Sequence, residues 1–223
     1  MVSRKNQFAI LGMGRFGISL AVTLEQMGYE VLCVDVDEAV VSKLADQVSR
    51  IVSFDIRDSR AFDQAGMESF DTVIIATKNL EASLMATMLC KERNISDIVV
   101  KAIDERHAVM AKKMGATRIV FSELEMAKRL ALQLVTPNVK DYIEIEGDIK
   151  IINFNAPEEL WNKNLVEANL RAQFGLNVIA IIHEEKTLIT PPPTYKFCKG
   201  DKVFAIGSNE VLAKFKEKVL SGE

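Results

Sequence analysis

Phe8-Ala-Ile-Leu11, Gly12-Met-Gly14-Arg-Phe-Gly17, Ile18–Met27 and Val31-Leu-Cys-Val34 follow one another closely, and the run ends on Asp35. A short apolar strand, a Gly-x-Gly-x-x-Gly loop, a helix and a second apolar strand, in that order, make a dinucleotide-binding unit. Gly12 permits a tight turn, Gly14 lets a phosphate approach the backbone, and Gly17 lets the helix pack closely on the strand. Free N–H groups at the helix start, with the positive end of its dipole, then hold the anion. Arg15, beside Phe16 inside the loop, is a cation within reach of a phosphate. Asp35 lies 23 residues beyond Gly12. A carboxylate there accepts hydrogen bonds from a ribose diol and repels a 2′-phosphate, so NAD or an adenine nucleotide is expected rather than NADP.

Outward from this unit, apolar runs alternate with helical patterns. Strands are expected at Ile51–Phe54, Thr72–Ala76, Ile98–Ala102 and Arg118–Phe121, and helices at Glu38–Asp46, Leu80–Arg93, Ala108–Met114 and Leu124–Val135. Near-continuous apolar strands separated by amphipathic helices imply a parallel sheet covered on both faces. With right-handed crossovers this is an α/β, Rossmann-like doubly wound fold. Ser122-Glu-Leu-Glu125 reads as a capping box, and Ala127, Leu130, Ala131 and Leu134 fall on one face of the last helix, expected to be buried.

Thr136-Pro-Asn138 breaks that helix, because proline cannot continue it. This divides the chain into residues 1–135, the nucleotide-binding lobe, and residues 136–223, a small α+β lobe. In the latter, Tyr142-Ile-Glu-Ile-Glu146 alternates like a half-buried strand. Further strands are expected at Ile149–Phe154, Val178–His183 and Val203–Ile206, with a helix over Leu165–Phe174. Pro191-Pro-Pro193 reads as a stiff connection, Gly200-Asp201 as a turn, and Asn209 as the cap of a final helix.

In a Rossmann-like strand order, the loops after successive strands line one crevice at the carboxyl edge of the sheet. Those positions are Asp35-Val36-Asp37, Asp55-Ile56-Arg57, Ala76-Thr77-Lys78 and Lys101. Asp55 or Arg57 could meet the adenine, and Ala76-Thr77 could pass under base or ribose. Each also reads as a polar strand terminus. Glu123, in the first turn of a helix, interacts well with the dipole.

Apolar residues make up 48% of the 223 residues and charged residues 26%, the composition of a globular chain. A net charge of −3 offers no basic footprint for nucleic acid. No apolar stretch reaches the roughly 20 residues that span a bilayer, and the chain enters its first strand without a signal-peptide pattern. Cys33, Cys90 and Cys198 lack metal-ligand spacing and read as reduced, structural cysteines. His107 and His183 read as structural or surface residues. The second lobe holds His183, Cys198 and scattered carboxylates, with no clustered constellation expected, which argues against hydride transfer.

The glycine loop, Val34-Asp35-Val-Asp37, Val99-Val-Lys-Ala102, Gly115-Ala-Thr-Arg-Ile-Val-Phe-Ser-Glu123, Asn169-Leu-Arg171, Lys199-Gly-Asp201 and Ile206-Gly207 together resemble the regulatory subunits of bacterial Ktr/Trk potassium-uptake systems, proteins built on the RCK (KTN) domain. The resemblance implies a cytoplasmic, non-catalytic ring, usually of eight RCK domains assembled from dimers. The ring docks peripherally at the inner face of the membrane on a potassium channel or transporter subunit. ATP, ADP, NAD or NADH then biases the pore through the shape of the ring. On matching positions, Arg15 reads the terminal phosphates, Asp35 the ribose, and Glu123 lies at a subunit interface near a Mg, Ca or Na ion. In some relatives cyclic di-AMP binds between paired second lobes, at positions matching Leu165, Val166, Asn169, Arg171 and Ala172. Dimer packing accounts for those five residues equally well. Two other classes share the first lobe, an NAD-dependent oxidoreductase and a redox-sensing repressor. The second is disfavoured by the acidic balance and the lack of a helix-turn-helix signal.

Overall fold

The computed structural model describes residues 7–135 and 139–215. Thr136-Pro-Asn138, and the signal-peptide reading of residues 1–6, lie outside the described residues. The chain forms two compact units, residues 1–123 and 124–223.

In the first unit, β1 (Phe8–Leu11), β2 (Val31–Asp35), β3 (Arg50–Ser53), β4 (Thr72–Ile75), β5 (Asp97–Lys101) and β6 (Arg118–Val120) form one sheet in the order β3-β2-β1-β4-β5-β6. All five pairings are parallel. Strand order reverses between β1 and β4, which opens a crevice at their carboxyl ends. Side-chain alternation sends Ala9 and Leu11 to one face, with Val73, Ile75 and Phe62, and Ile10 to the other, with Cys33, Ile74 and Ala21.

The connecting helices are α1 (Arg15–Gln26), α2 (Glu38–Leu44), α3 (Ser59–Gln64), α4 (Leu80–Glu92) and α5 (Glu105–Met114). α1 begins at Arg15, three residues earlier than its apolar period suggests, because Gly14 takes the N-cap. α3 was not expected. Its six residues hold one buried side chain, Phe62, too little for a periodic signal, and Asp58 caps it by accepting from Arg60 N at 2.9 Å. A 3-10 turn at Met67–Ser69 completes this crossover.

α6 (Ser122–Val135) corrects two expectations. Ser122 is its first helical residue rather than its cap, and the Ser122 hydroxyl donates to Glu123 Oε2 at 2.6 Å. The face expected to be buried is exposed, with Leu130 at 52% and Leu134 at 72%, and Ala127 and Ala131 are exposed too.

The second unit is an antiparallel sheet of β7 (Val139–Glu146), β8 (Ile149–Asn155), β9 (Asn177–His183), β10 (Lys186–Ile189) and β11 (Lys202–Ser208), ordered β10-β9-β11-β8-β7. β10 was not expected. Its hairpin turns on Glu184 and Glu185 at φ 43° and 71°, a left-handed pair normally signalled by Asn or Gly. Leu165–Phe174 is two helices, α7 (Leu165–Ala168) and α8 (Leu170–Phe174), because Asn169 adopts φ 46° and breaks the run. α9 (Asn209–Phe215) has Ser208 Oγ accepting from Val211 N at 3.3 Å, so the cap falls one residue before Asn209. Ile143 and Ile145, expected to face the core, are exposed. The core of this unit gathers Ile152, Phe154, Leu170, Leu176, Phe197 and Phe215.

Candidate nucleotide site

The glycine loop is shaped by sterics that differ at its three glycines. Gly12 sits at φ +103°, and a Cβ there would lie 2.8 Å from Thr77 N, so the turn after β1 must pass against the turn after β4. At Gly17 a Cβ would lie 2.2 Å from Gly12 O, so helix α1 rests on the loop itself. At Gly14 a Cβ would meet nothing within 4 Å. That open position caps α1 without a side-chain bond, and no acidic residue occupies the first turn. A helix start left in this state favours an anion.

Asp35 ties the two halves of the motif together. Its Oδ2 accepts from Met13 N at 2.6 Å and its Oδ1 from Asp37 N at 3.0 Å. Each oxygen keeps a further lone pair for a ligand hydroxyl. Asp37 turns its carboxylate to Ala39 N at 2.8 Å and caps α2, so that side chain serves the helix.

Gly12, Asp35, Val36, Asp55, Ile56, Arg57 and Thr77 line one cleft. Asn79 and Ala82 line it too, which the strand-end reading missed because they belong to the next turn and helix. Asn79 Oδ1 caps α4 by accepting from Ala82 N at 2.9 Å, and Thr77 Oγ1 accepts from Asn79 N at 3.2 Å. The side chain of Ile56 is 7% exposed and packs into the core. Arg57 pairs side-on with Asp55, with Nη2 2.7 Å from Oδ2, and its Nη1 lies 3.6 Å from Glu81. The Arg57 hydrogen bonds hold the Asp55 carboxyl below its ordinary value. Ala76 is buried and bonds Leu11 O through its N–H, while Lys78 is exposed.

A second polar group lies by the loop. Lys101, buried at the end of β5, has its Nζ 5.9 Å from the centre of the Phe16 ring and 2.9 Å from Glu123 Oε1. The Ser122 hydroxyl and then Lys101 hold the Glu123 carboxyl down at about 2. Arg15 is exposed on the first turn of α1. In the second unit, Val166 is 68% exposed, Asn169, Arg171 and Ala172 are exposed, and Leu165 packs against the core.

His107 is buried between α4 and α5. Its Nδ1 accepts from Ile103 N at 3.2 Å, which leaves Nε2 to donate to Ser83 Oγ at 3.1 Å, and burial lowers its pKa. Cys33 and Cys90 are buried, and burial pushes both thiols up to about 12. One expectation fails outright. His183, Cys198 and Asp201 come together in the second unit, with ligand atoms within 4.8 Å of one another, where no constellation was expected. Antiparallel pairing joins residues too far apart in sequence for a spacing rule to find.

Residues 8–122 match the TrkA-N domain family and residues 150–220 the TrkA-C domain family. The chain is 34% identical to the Ktr system potassium uptake protein C of Bacillus subtilis, covering 97% of this chain and 98% of that one. It is 32% identical to the Ktr system potassium uptake protein A of the same organism, over 96% and 97%. Among solved structures, the GsuK channel bound to NAD superposes with a TM-score of 0.54 at 20% identity, over 99% of this chain and 39% of that one. That likeness is one of fold. Among the described residues no helix is long and apolar enough to cross a membrane. With both domain families matched in order and near-complete coverage of two relatives, the chain belongs to the TrkA-N/TrkA-C family of Ktr system potassium uptake proteins.

Proposed function

We propose that this chain is a nucleotide-sensing regulatory subunit of a membrane potassium transporter or channel. The observation that carries the reading is the cleft of Gly12, Asp35, Asp55, Arg57 and Thr77 beside an uncapped helix start, in a chain that matches Ktr potassium uptake proteins end to end. The cleft suits the ribose and base of ATP, ADP or NAD, with the phosphates at Gly14 and Arg15. Lys101 and Glu123 stand next to the phosphate end, where Glu123 holds a Mg, Ca or Na ion in the nucleotide-bound assembly.

We read the chain as non-catalytic, cytoplasmic and docked on its membrane subunit. Its assembly as a dimer-based ring is supported by the exposed apolar face of α6, since a monomer rarely leaves such a surface bare. Leu165, Val166, Asn169, Arg171 and Ala172 form a surface on which a second copy packs or cyclic di-AMP sits. The sheet order also serves nicotinamide oxidoreductases. The sizes of the matches to potassium uptake proteins favour regulation over that reading.

The test is calorimetry with ATP, ADP and NAD on wild type and Asp35→Ala. Loss of a charged acceptor removes roughly 1.5–3 kcal/mol, so affinity falls about 10- to 100-fold. Unchanged affinity for all three removes Asp35 from the site. Potassium flux through vesicles carrying the membrane subunit then reports regulation. Arg15→Ala weakens the ATP response more than the ADP response, and identical wild-type responses to every nucleotide overturn the sensing role.

A further inference from the structure

The end of the antiparallel sheet carries a set of donors that the nucleotide reading does not use. β9 and β11 run antiparallel with Ile182 opposite Lys202, so the next residues out are His183 and Asp201. His183 Nδ1 lies 2.6 Å from Asp201 Oδ1. Asp201 also closes a turn with Cys198, its N–H donating to Cys198 O at 3.2 Å and Gly200 taking φ +91°. A turn of this kind brings its first and fourth side chains to one side. Cys198 and Asp201 thus form a Cys-x-x-Asp pair facing a histidine from the neighbouring strand.

The burial of these groups is uneven. The Asp201 side chain is wholly buried and that of His183 is 38% exposed. Asp201 Oδ2 is satisfied by Tyr195 Oη and by Cys198 N, both at 2.9 Å. Oδ1 faces His183. Among the described residues, His183 is the one group of opposite charge within ion-pair distance of Asp201, and an imidazole carries charge only when protonated. With a His183 ring nitrogen and the Cys198 sulfur within 4.8 Å of a carboxylate oxygen on this buried side chain, the cluster suits a cation. Cys198 is exposed, so an ion reaches the cluster from solvent.

We propose that His183, Cys198 and Asp201 form a binding site for a borderline-soft divalent cation of the zinc type. Imidazole nitrogen, thiolate sulfur and one carboxylate oxygen are the donor set of such ions, whereas Mg and Ca require oxygen ligands. Three protein ligands leave a fourth position for water. The ion takes the place of the direct His183–Asp201 contact. Bonds of about 2.0 Å at a tetrahedral angle need those two atoms ~3.3 Å apart, an opening that the half-exposed imidazole supplies by rotation. Binding also releases the thiol proton.

Cobalt(II) is the spectroscopic probe and zinc(II) the competitor, both added to the full chain under reducing conditions. Cobalt should give a thiolate-to-metal absorption band at one ion per chain, abolished by zinc, by Cys198→Ser and by His183→Gln. A second readout needs no variant. Cys33 and Cys90 are buried and Cys198 is exposed, so a short alkylation pulse reports Cys198 alone. Stoichiometric zinc should slow that labelling at least about tenfold, the signature of a coordinated thiolate. Absence of the band, its survival in either variant, or labelling indifferent to zinc overturns the site.

Discussion

The two sheets place their apolar residues differently. In the parallel sheet, every residue of Val31–Val34 and of Thr72–Ile75 is buried, because helices cover both faces. In the antiparallel sheet, Ile152 and Phe154 of β8 are fully buried, yet Ile143 and Ile145 of the adjacent β7 are 60% and 53% exposed, and Ile189 of β10 is 75% exposed. The first unit closes both faces of its central strands, and its exposed apolar residues, such as Val36, Ile103 and Val109, lie on loops and helices rather than on the sheet. The second unit closes one face and leaves apolar side chains on its outer strands. Such exposure on outer strands is a surface waiting to be covered.

The largest expected effect tests that contrast within the second unit. Phe154→Ala removes a ring packed 5.0 Å from that of Phe215 and should cost about 3–5 kcal/mol. Ile143→Ala, one strand away, should change stability by less than about 0.5 kcal/mol in a dilute chain. Urea denaturation of both variants checks this. A loss above about 2 kcal/mol for Ile143→Ala that grows with protein concentration would mean that this outer strand is covered by another copy.

The next effect separates glycines that hold the fold from the one left open at the start of α1. Gly17→Ala forces its new methyl against Gly12 O and should cost about 1–3 kcal/mol, the usual penalty of overpacking. Gly14→Ala meets no atom of the protein, so unfolding should be nearly unchanged while nucleotide affinity falls. Denaturation and calorimetry on the two variants give opposite patterns. If Gly14→Ala destabilises as much as Gly17→Ala, the open position is not a phosphate seat.

How much of this was legible follows the same division. The parallel unit could be read because its signals are local. A strand buried on both faces is a plain apolar run, and the turn between β1 and α1 is written in glycines. Asp35 carries the further signal, since an acidic residue at that distance braces Met13 N and keeps a free lone pair on each oxygen. Asn79 was missed because its side chain caps α4, a role that leaves no mark of ligand contact. The antiparallel unit was less legible. Glu184 and Glu185 make a hairpin turn without the usual residues, and Asn169 breaks a helix whose apolar period continues across it. Whether Leu130 or Ile143 faces the core depends on what lies opposite, and alternation alone does not state that. His183 and Asp201 meet only through the pairing of β9 with β11.

The smallest effect concerns a carboxylate at the edge of the parallel sheet. Glu123 is exposed, yet its carboxyl is held at about 2, first by the Ser122 hydroxyl and then by Lys101. A carboxyl whose folded pKa is depressed favours the folded state fully above its ordinary value of 4.5, and loses that contribution as pH falls from 4.5 toward about 2. Exposure and salt screen the pair, so the effect on stability is minor. Carbon-detected NMR of the side-chain carboxyl measures it directly. Glu123 should titrate well below ordinary glutamates. Ser122→Ala and Lys101→Met should each raise its midpoint, since the hydroxyl bond and the lysine both lower it. A wild-type midpoint near 4.5 would show that neither partner holds Glu123 in solution, and among the described residues Lys101 would then be a buried cation left with the Phe16 ring, 5.9 Å from its Nζ. If nucleotide addition moves this midpoint, Glu123 reports the state of the cleft.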